Sequence, residues 1–73
     1  MKELLTEREV HILRTYANLN MRLKPTADTL HYNPRTIFGI FANIYARTGL
    51  NPREFWDLVN IIQTIAKEEL DGR

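Results

Sequence analysis

Apolar side chains recur along this chain at the spacing of helices rather than strands. Val10, Leu13 and Ala17 line one face, with Ile12, Tyr16 and Leu19 widening the stripe, so the period is that of an amphipathic helix with one buried side. Thr6 stands just before this run and Glu9 three residues after it. That pairing is a capping box, in which two side chains satisfy two otherwise orphaned N–H groups at a helix start. Leu5 is placed to complete a hydrophobic staple. A first helix is expected over 7–19.

A mixed stretch, Met21-Arg22-Leu23-Lys24, follows. Pro25-Thr26-Ala27-Asp28-Thr29-Leu30 then reads as a compact second helix, about 24–31, with proline tolerated in its first turn. Asn33-Pro34-Arg35 starts a third helix over 34–48. The asparagine side chain can accept an early helical N–H, and proline at the next position loses nothing by lacking one. Gly49 suits the left-handed stop. The same tripeptide returns at Asn51-Pro52-Arg53 and predicts a fourth helix, about 52–69, carrying Phe55, Trp56, Leu58, Val59, Ile61, Ile62, Ile65 and Ala66. Alternating runs and Asn-Gly or Asp-Gly turns are lacking. The expected fold is all-α: one four-helix helix-turn-helix domain over 1–73, with no β-wing.

The second and third helices, joined through His31-Tyr32-Asn33, have helix-turn-helix spacing, which makes the third the recognition helix. Stepping about 100° per residue from Ile37 gathers Ile37, Phe41, Ile44 and Thr48 inward, with Ile40 and Tyr45 at the margins. The opposite face is Arg35, Gly39, Ala42 and Ala46, flanked by Thr36 and Asn43. A ridge so poor in bulk can sit deep in a major groove. Arg35, Thr36, Gly39 and Asn43 are therefore the candidate base contacts. The competing use of the Gly39/Ala42/Ala46 face is close packing on a protein partner, which would make the chain a small helical interaction module.

Charge strengthens the first use. The net charge is only +1, but residues 10–53 carry six cations against the single acid Asp28, net +5. The flanks are acidic. A basic middle suits an anionic partner, and Arg22, Lys24, Thr26, Arg47 and Arg53 are the candidate phosphate contacts, with the amides of Thr26 and Arg35 adding helix N-termini.

Catalysis finds no footing in 73 residues without a cysteine or a serine. His11 and His31 have no partners at metal-ligand spacing, no Gly-rich loop precedes a helix, and neither cofactor nor small-molecule ligand is expected. With no thiol, no apolar run near the ~20 residues of a bilayer span and no leader of signal-peptide type, a soluble cytoplasmic protein with no membrane role is expected.

The segment from Asn20 to Pro52 resembles the C-terminal helix-turn-helix of PucR-type regulators. The matching positions are Asn20, Met21, Thr26, Ala27, Leu30, Thr36, Ile37, Phe41, Ile44, Thr48, Gly49 and Leu50. LTEREVHIL, residues 5–13, is similar to the first helix of the LuxR-type DNA-binding domain, and Arg35-Thr36-Ile37 fits that family's recognition-helix start. The resemblance implies a DNA-binding regulator of bacterial or phage type. The chain departs from the PucR pattern at Asn33-Pro34-Arg35, in place of a His-Arg-Asn run, and at Ile40, in place of an arginine. Those larger regulators also carry a sensing region, which is not expected within these 73 residues.

The expectation is a sequence-specific transcriptional regulator that binds double-stranded DNA as a homodimer. One helix-turn-helix reads few base pairs, and the fourth helix has more apolar surface than one small core covers. Trp56, Val59, Ile61 and Ile62 are the candidate interface; the alternative is that this helix only closes a monomeric core.

Overall fold

The computed structural model describes residues 4–71. The first helix, α1 (Glu7–Asn18), opens on a reciprocal pair of hydrogen bonds: the Glu9 N–H donates to Thr6 Oγ1 at 3.1 Å, and the Thr6 N–H donates to Glu9 Oε1 at 2.9 Å. The capping box is formed as expected. Leu5, just before it, is buried against the core.

α1 ends one residue short of the expected 19. Asn20 and Met21 follow in left-handed conformation, with φ of 61° and 59°. Their amides donate back to Ala17 O and Tyr16 O, so the chain reverses sharply while its backbone groups stay satisfied. The second helix, α2 (Leu23–Leu30), begins and ends a residue earlier than the expected 24–31. It stops because His31 takes the left-handed conformation, φ 61°, and the Tyr32 N–H then donates to Ala27 O at 2.8 Å. This is the usual closing geometry of a helix C-terminus, made here without glycine.

The third helix, α3 (Pro34–Thr48), has the expected bounds, and its C-cap is Gly49 at φ 76°. The fourth, α4 (Phe55–Asp71), does not start at 52. The Asn51 side chain accepts the Arg53 N–H at 3.0 Å, as expected of a cap, but the Glu54 N–H returns to Asn51 O and closes a separate turn. Pro52 is buried, and Asp57 Oδ2 accepts the Asn51 N–H at 3.0 Å. These contacts hold the turn in place ahead of the helix, whose first bond runs from the Leu58 N–H to Glu54 O.

The described residues hold these four helices and no strand. One core joins them: Ile12, Leu13 and Tyr16 from α1, Ala27 from α2, Ile37, Phe41 and Ile44 from α3, and Leu58, Ile61 and Ile65 from α4. α2 packs on both α1 and α3, and α4 packs on α1. The Tyr16 and Phe41 rings meet edge to face, centroids 4.7 Å apart, a favoured aromatic arrangement. No helix among the described residues is long and apolar enough to cross a membrane.

Candidate nucleic-acid interface

At the start of α3 the Asn33 side chain accepts the Arg35 N–H at 2.9 Å. The Arg35 amide is thus occupied and does not offer itself to a phosphate. Ile37, Phe41 and Ile44 turn into the core, and Arg35, Thr36, Gly39, Ala42, Asn43 and Ala46 are all exposed on the other side. The candidate base contacts therefore share one solvent-facing surface. Tyr45, expected at the inward margin, stands outward at 52% exposure. Phe38 is also outside, at 46%.

Gly39 is the informative residue on this face. A Cβ built there would meet no atom within 4 Å, so packing within the chain does not require glycine. Its place in a helix interior costs about 1 kcal/mol relative to alanine.

The cations separate into two groups. Arg22 and Arg35 are exposed, with no ion pair among the described residues. Lys24 lies 3.5 Å from Asp28, both side chains being well exposed, a pair that holds it weakly. Arg53 stacks its guanidinium over the Phe38 ring, 4.6 Å from the centroid. Since Phe38 sits one helical turn from Arg35, this stacking brings Arg53 to the flank of α3. The guanidinium groups of Arg14 and Arg47 are instead paired with acids of the chain at its surface, Arg14 with Glu69 and Arg47 with Glu9.

Two expected phosphate contacts are corrected by these positions. Thr26 is fully buried, and its hydroxyl donates to Arg22 O at 2.7 Å while its amide bonds to the same carbonyl. A threonine that satisfies its hydroxyl on its own helix can join a core, and this one reaches no ligand. Arg47 donates to Leu4 O at 2.6 Å and to Asn43 O at 3.3 Å besides pairing with Glu9. Its job is to tie the end of α3 to the start of α1.

That clasp is pH-sensitive. Burial pushes the Glu9 carboxyl up, but the hydrogen bond and charge of Arg47 and the backbone and hydroxyl of Thr6 outweigh it, leaving the group below its ordinary value of 4.5. A carboxylate with a depressed folded pKa contributes stability above its unfolded pKa and loses it as the pH falls through the folded value. Glu9→Gln keeps the cap but not the ion pair. It should melt below the wild type at pH 7, and the gap should narrow as the pH falls below 4.5; thermal melts at several pH values check this, a constant gap being the contrary result.

Ala17, Met21, Phe55, Leu58, Val59, Ile62 and Gln63 line an apolar groove of about 190 Å³ between α1 and α4. Trp56 stands beside it at 78% exposure, its ring edge to face with that of Phe55 at 4.9 Å. Of the four residues expected at a dimer interface, Trp56 is exposed and Val59 and Ile62 are half-buried. Ile61 is fully buried in the monomer core, which corrects that expectation. A second, larger cleft of about 450 Å³ lies between α1 and the end of α4, with Leu5, Val10 and Ile65 below Glu7, Glu68 and Glu69. Among the described residues no three histidine, aspartate or glutamate side chains gather as a metal site requires.

No protein-family model, no curated protein and no solved structure matches the chain.

Proposed function

We propose that the chain is a sequence-specific DNA-binding protein, a transcriptional regulator that lays α3 in the major groove and pairs with a second copy through α4. The observation that carries this is the exposed, acid-free face of α3, with Arg35 near its start and an intrahelical glycine that its own fold does not need. Arg35, Thr36 and Asn43 supply groups able to bond base edges, and Gly39 lets the helix axis approach them. Arg22, Lys24 and Arg53 take the phosphates. The resemblance of residues 20–52 to the PucR-type helix-turn-helix supports the same use of α3.

The test is selection of a duplex from a random pool, followed by affinity measurement for wild type and Arg35→Ala. Losing a side chain that bonds a guanine edge in two places costs about 1–3 kcal/mol, so specific affinity should fall about 5- to 150-fold while binding to unrelated duplex is preserved. Equal loss on every sequence would remove Arg35 from the readers.

The second copy is drawn from the apolar surface on α4. Trp56 at 78% and Phe55 at 55% exposure stand beside the half-buried Val59 and Ile62 of the groove, an apolar surface suited to a partner, and a two-fold pairing there repeats the reading head. Its half-sites then lie about 34 Å apart or at multiples of that spacing. Sedimentation should find a dimer for wild type and a monomer for Val59→Glu; a monomeric wild type at high micromolar concentration refutes the pairing.

A second reading is favoured by the outward Phe38 and Tyr45, which give α3 an aromatic flank. In that reading the Gly39/Ala42/Ala46 face docks on a protein, and the purified chain binds no duplex at any salt concentration.

A further inference from the structure

Phe38 is the residue on the α3 surface that the groove-binding reading leaves unexplained. It lies outside the core cluster, 46% exposed, although a helix of this kind ordinarily offers water a polar side chain at such a position. It is not loose there. The Arg53 guanidinium covers the ring at 4.6 Å from its centroid, a contact that favours one placement of the side chain over the others. Gly39 and Ala42 beside it are small and exposed, so they do not screen the part of the ring that Arg53 leaves open.

A phenyl ring has neither donor nor acceptor, so it can recognise a base edge only through apolar contact. Of the groups that the four base pairs display in the major groove, the one that is apolar is the C5 methyl of thymine. We propose that Phe38 reads a thymine methyl, with Arg53 fixing the ring from behind. This rests on the groove-binding reading and deepens it by giving part of the site's sequence. Phe38 follows Arg35 by three residues, a rise of about 4.5 Å along the helix axis, against about 3.4 Å per base pair. The thymine therefore lies one or two pairs from the base that Arg35 reads.

The closing experiment replaces each thymine of a selected duplex, one at a time, by deoxyuridine, which removes the methyl and keeps every hydrogen-bonding group. At one position within two pairs of the base sensitive to Arg35→Ala, wild type should lose about fourfold in affinity, the value of one buried methyl at ~0.8 kcal/mol with ~1.4 kcal/mol per tenfold. Phe38→Ala should bind thymine and deoxyuridine there equally, and Phe38→Leu should keep part of the preference. Thermal melts establish that both variants fold, as an exposed position predicts. Wild type indifferent to every such replacement, on a duplex it still binds in an Arg35-dependent way, overturns the role of Phe38 and leaves the DNA reading standing. So does Phe38→Ala retaining the full penalty, since another group then reads the methyl. Failure to enrich any duplex overturns both.

Discussion

Phe41→Ala should remove a large share of the chain's stability, about 3–5 kcal/mol. Phe41 is 1% exposed and meets α1 through the Tyr16 ring, so its removal opens a cavity where α3 is held to the rest of the molecule. Phenylalanine-to-alanine changes in cores cost about 3–5 kcal/mol. A domain of 73 residues has a total stability of only about 4–11 kcal/mol, at about 0.05–0.15 kcal/mol per residue. At about 4–8 °C per kcal/mol for a domain of this size, the melting temperature should fall by about 12–40 °C. Phe41→Leu keeps most of the volume and should cost less than about 1.5 kcal/mol. Denaturant unfolding of both variants checks the contrast; a loss below about 1 kcal/mol for Phe41→Ala would show that the ring does not hold the helices together.

Gly39→Leu should do the reverse, sparing the fold and destroying the interface. Nothing in the chain lies within 4 Å of the new Cβ, and leucine is a better helix former than glycine by about 0.5–1 kcal/mol. The variant should melt a few degrees above wild type. On the proposed groove-binding reading, a leucine on the ridge between Arg35 and Asn43 occupies the space through which the helix would approach DNA. Overfilling a fitted contact costs about 1–3 kcal/mol, or about 5- to 150-fold in affinity. Melting and duplex binding measured on the same preparation decide the matter. If Gly39→Leu binds as wild type does, α3 does not enter the groove by this face.

The opposite signs of these two effects come from positions on one helix that the sequence separates well. Ile37, Phe41 and Ile44 repeat at core spacing, and Gly39, Ala42 and Ala46 fall opposite them. The starts of α1 and α3 were legible for a local reason: Thr6 with Glu9, and Asn33 with Pro34, complete their caps within three residues. The start of α4 was not. Asn51 makes the same side-chain bond as Asn33, but Pro52 is drawn into the core and Asp57 reaches back to the Asn51 amide, and such packing overrides a local signal.

The electrostatic part of the site was less legible than the helical part. Composition counts Arg47 and Arg35 alike, yet Arg47 meets an acid 38 positions earlier in the chain and Arg35 faces solvent. Only the tertiary arrangement distinguishes them. Thr26 was misplaced because a polar side chain on a short helix looks like surface until its hydroxyl is seen bonding to Arg22 O. The pair Ile61 and Ile62 could have been divided earlier. Leu58, Ile61 and Ile65 form one stripe at helical spacing and are the buried set, which leaves Val59 and Ile62 about 100° round the helix on the groove.

The groove-binding reading and its phosphate contacts meet their most direct test in the salt dependence of duplex binding by the intact chain. Arg22, Lys24 and Arg53 neutralising three phosphates should give log K against log salt a slope of about −2.7 per protomer, at about 0.9 for each phosphate on B-form DNA. Arg53→Ala should reduce that slope by about 0.9. Binding that is undetectable even at about 50 mM salt, or an affinity indifferent to salt, would contradict DNA recognition by this face of α3.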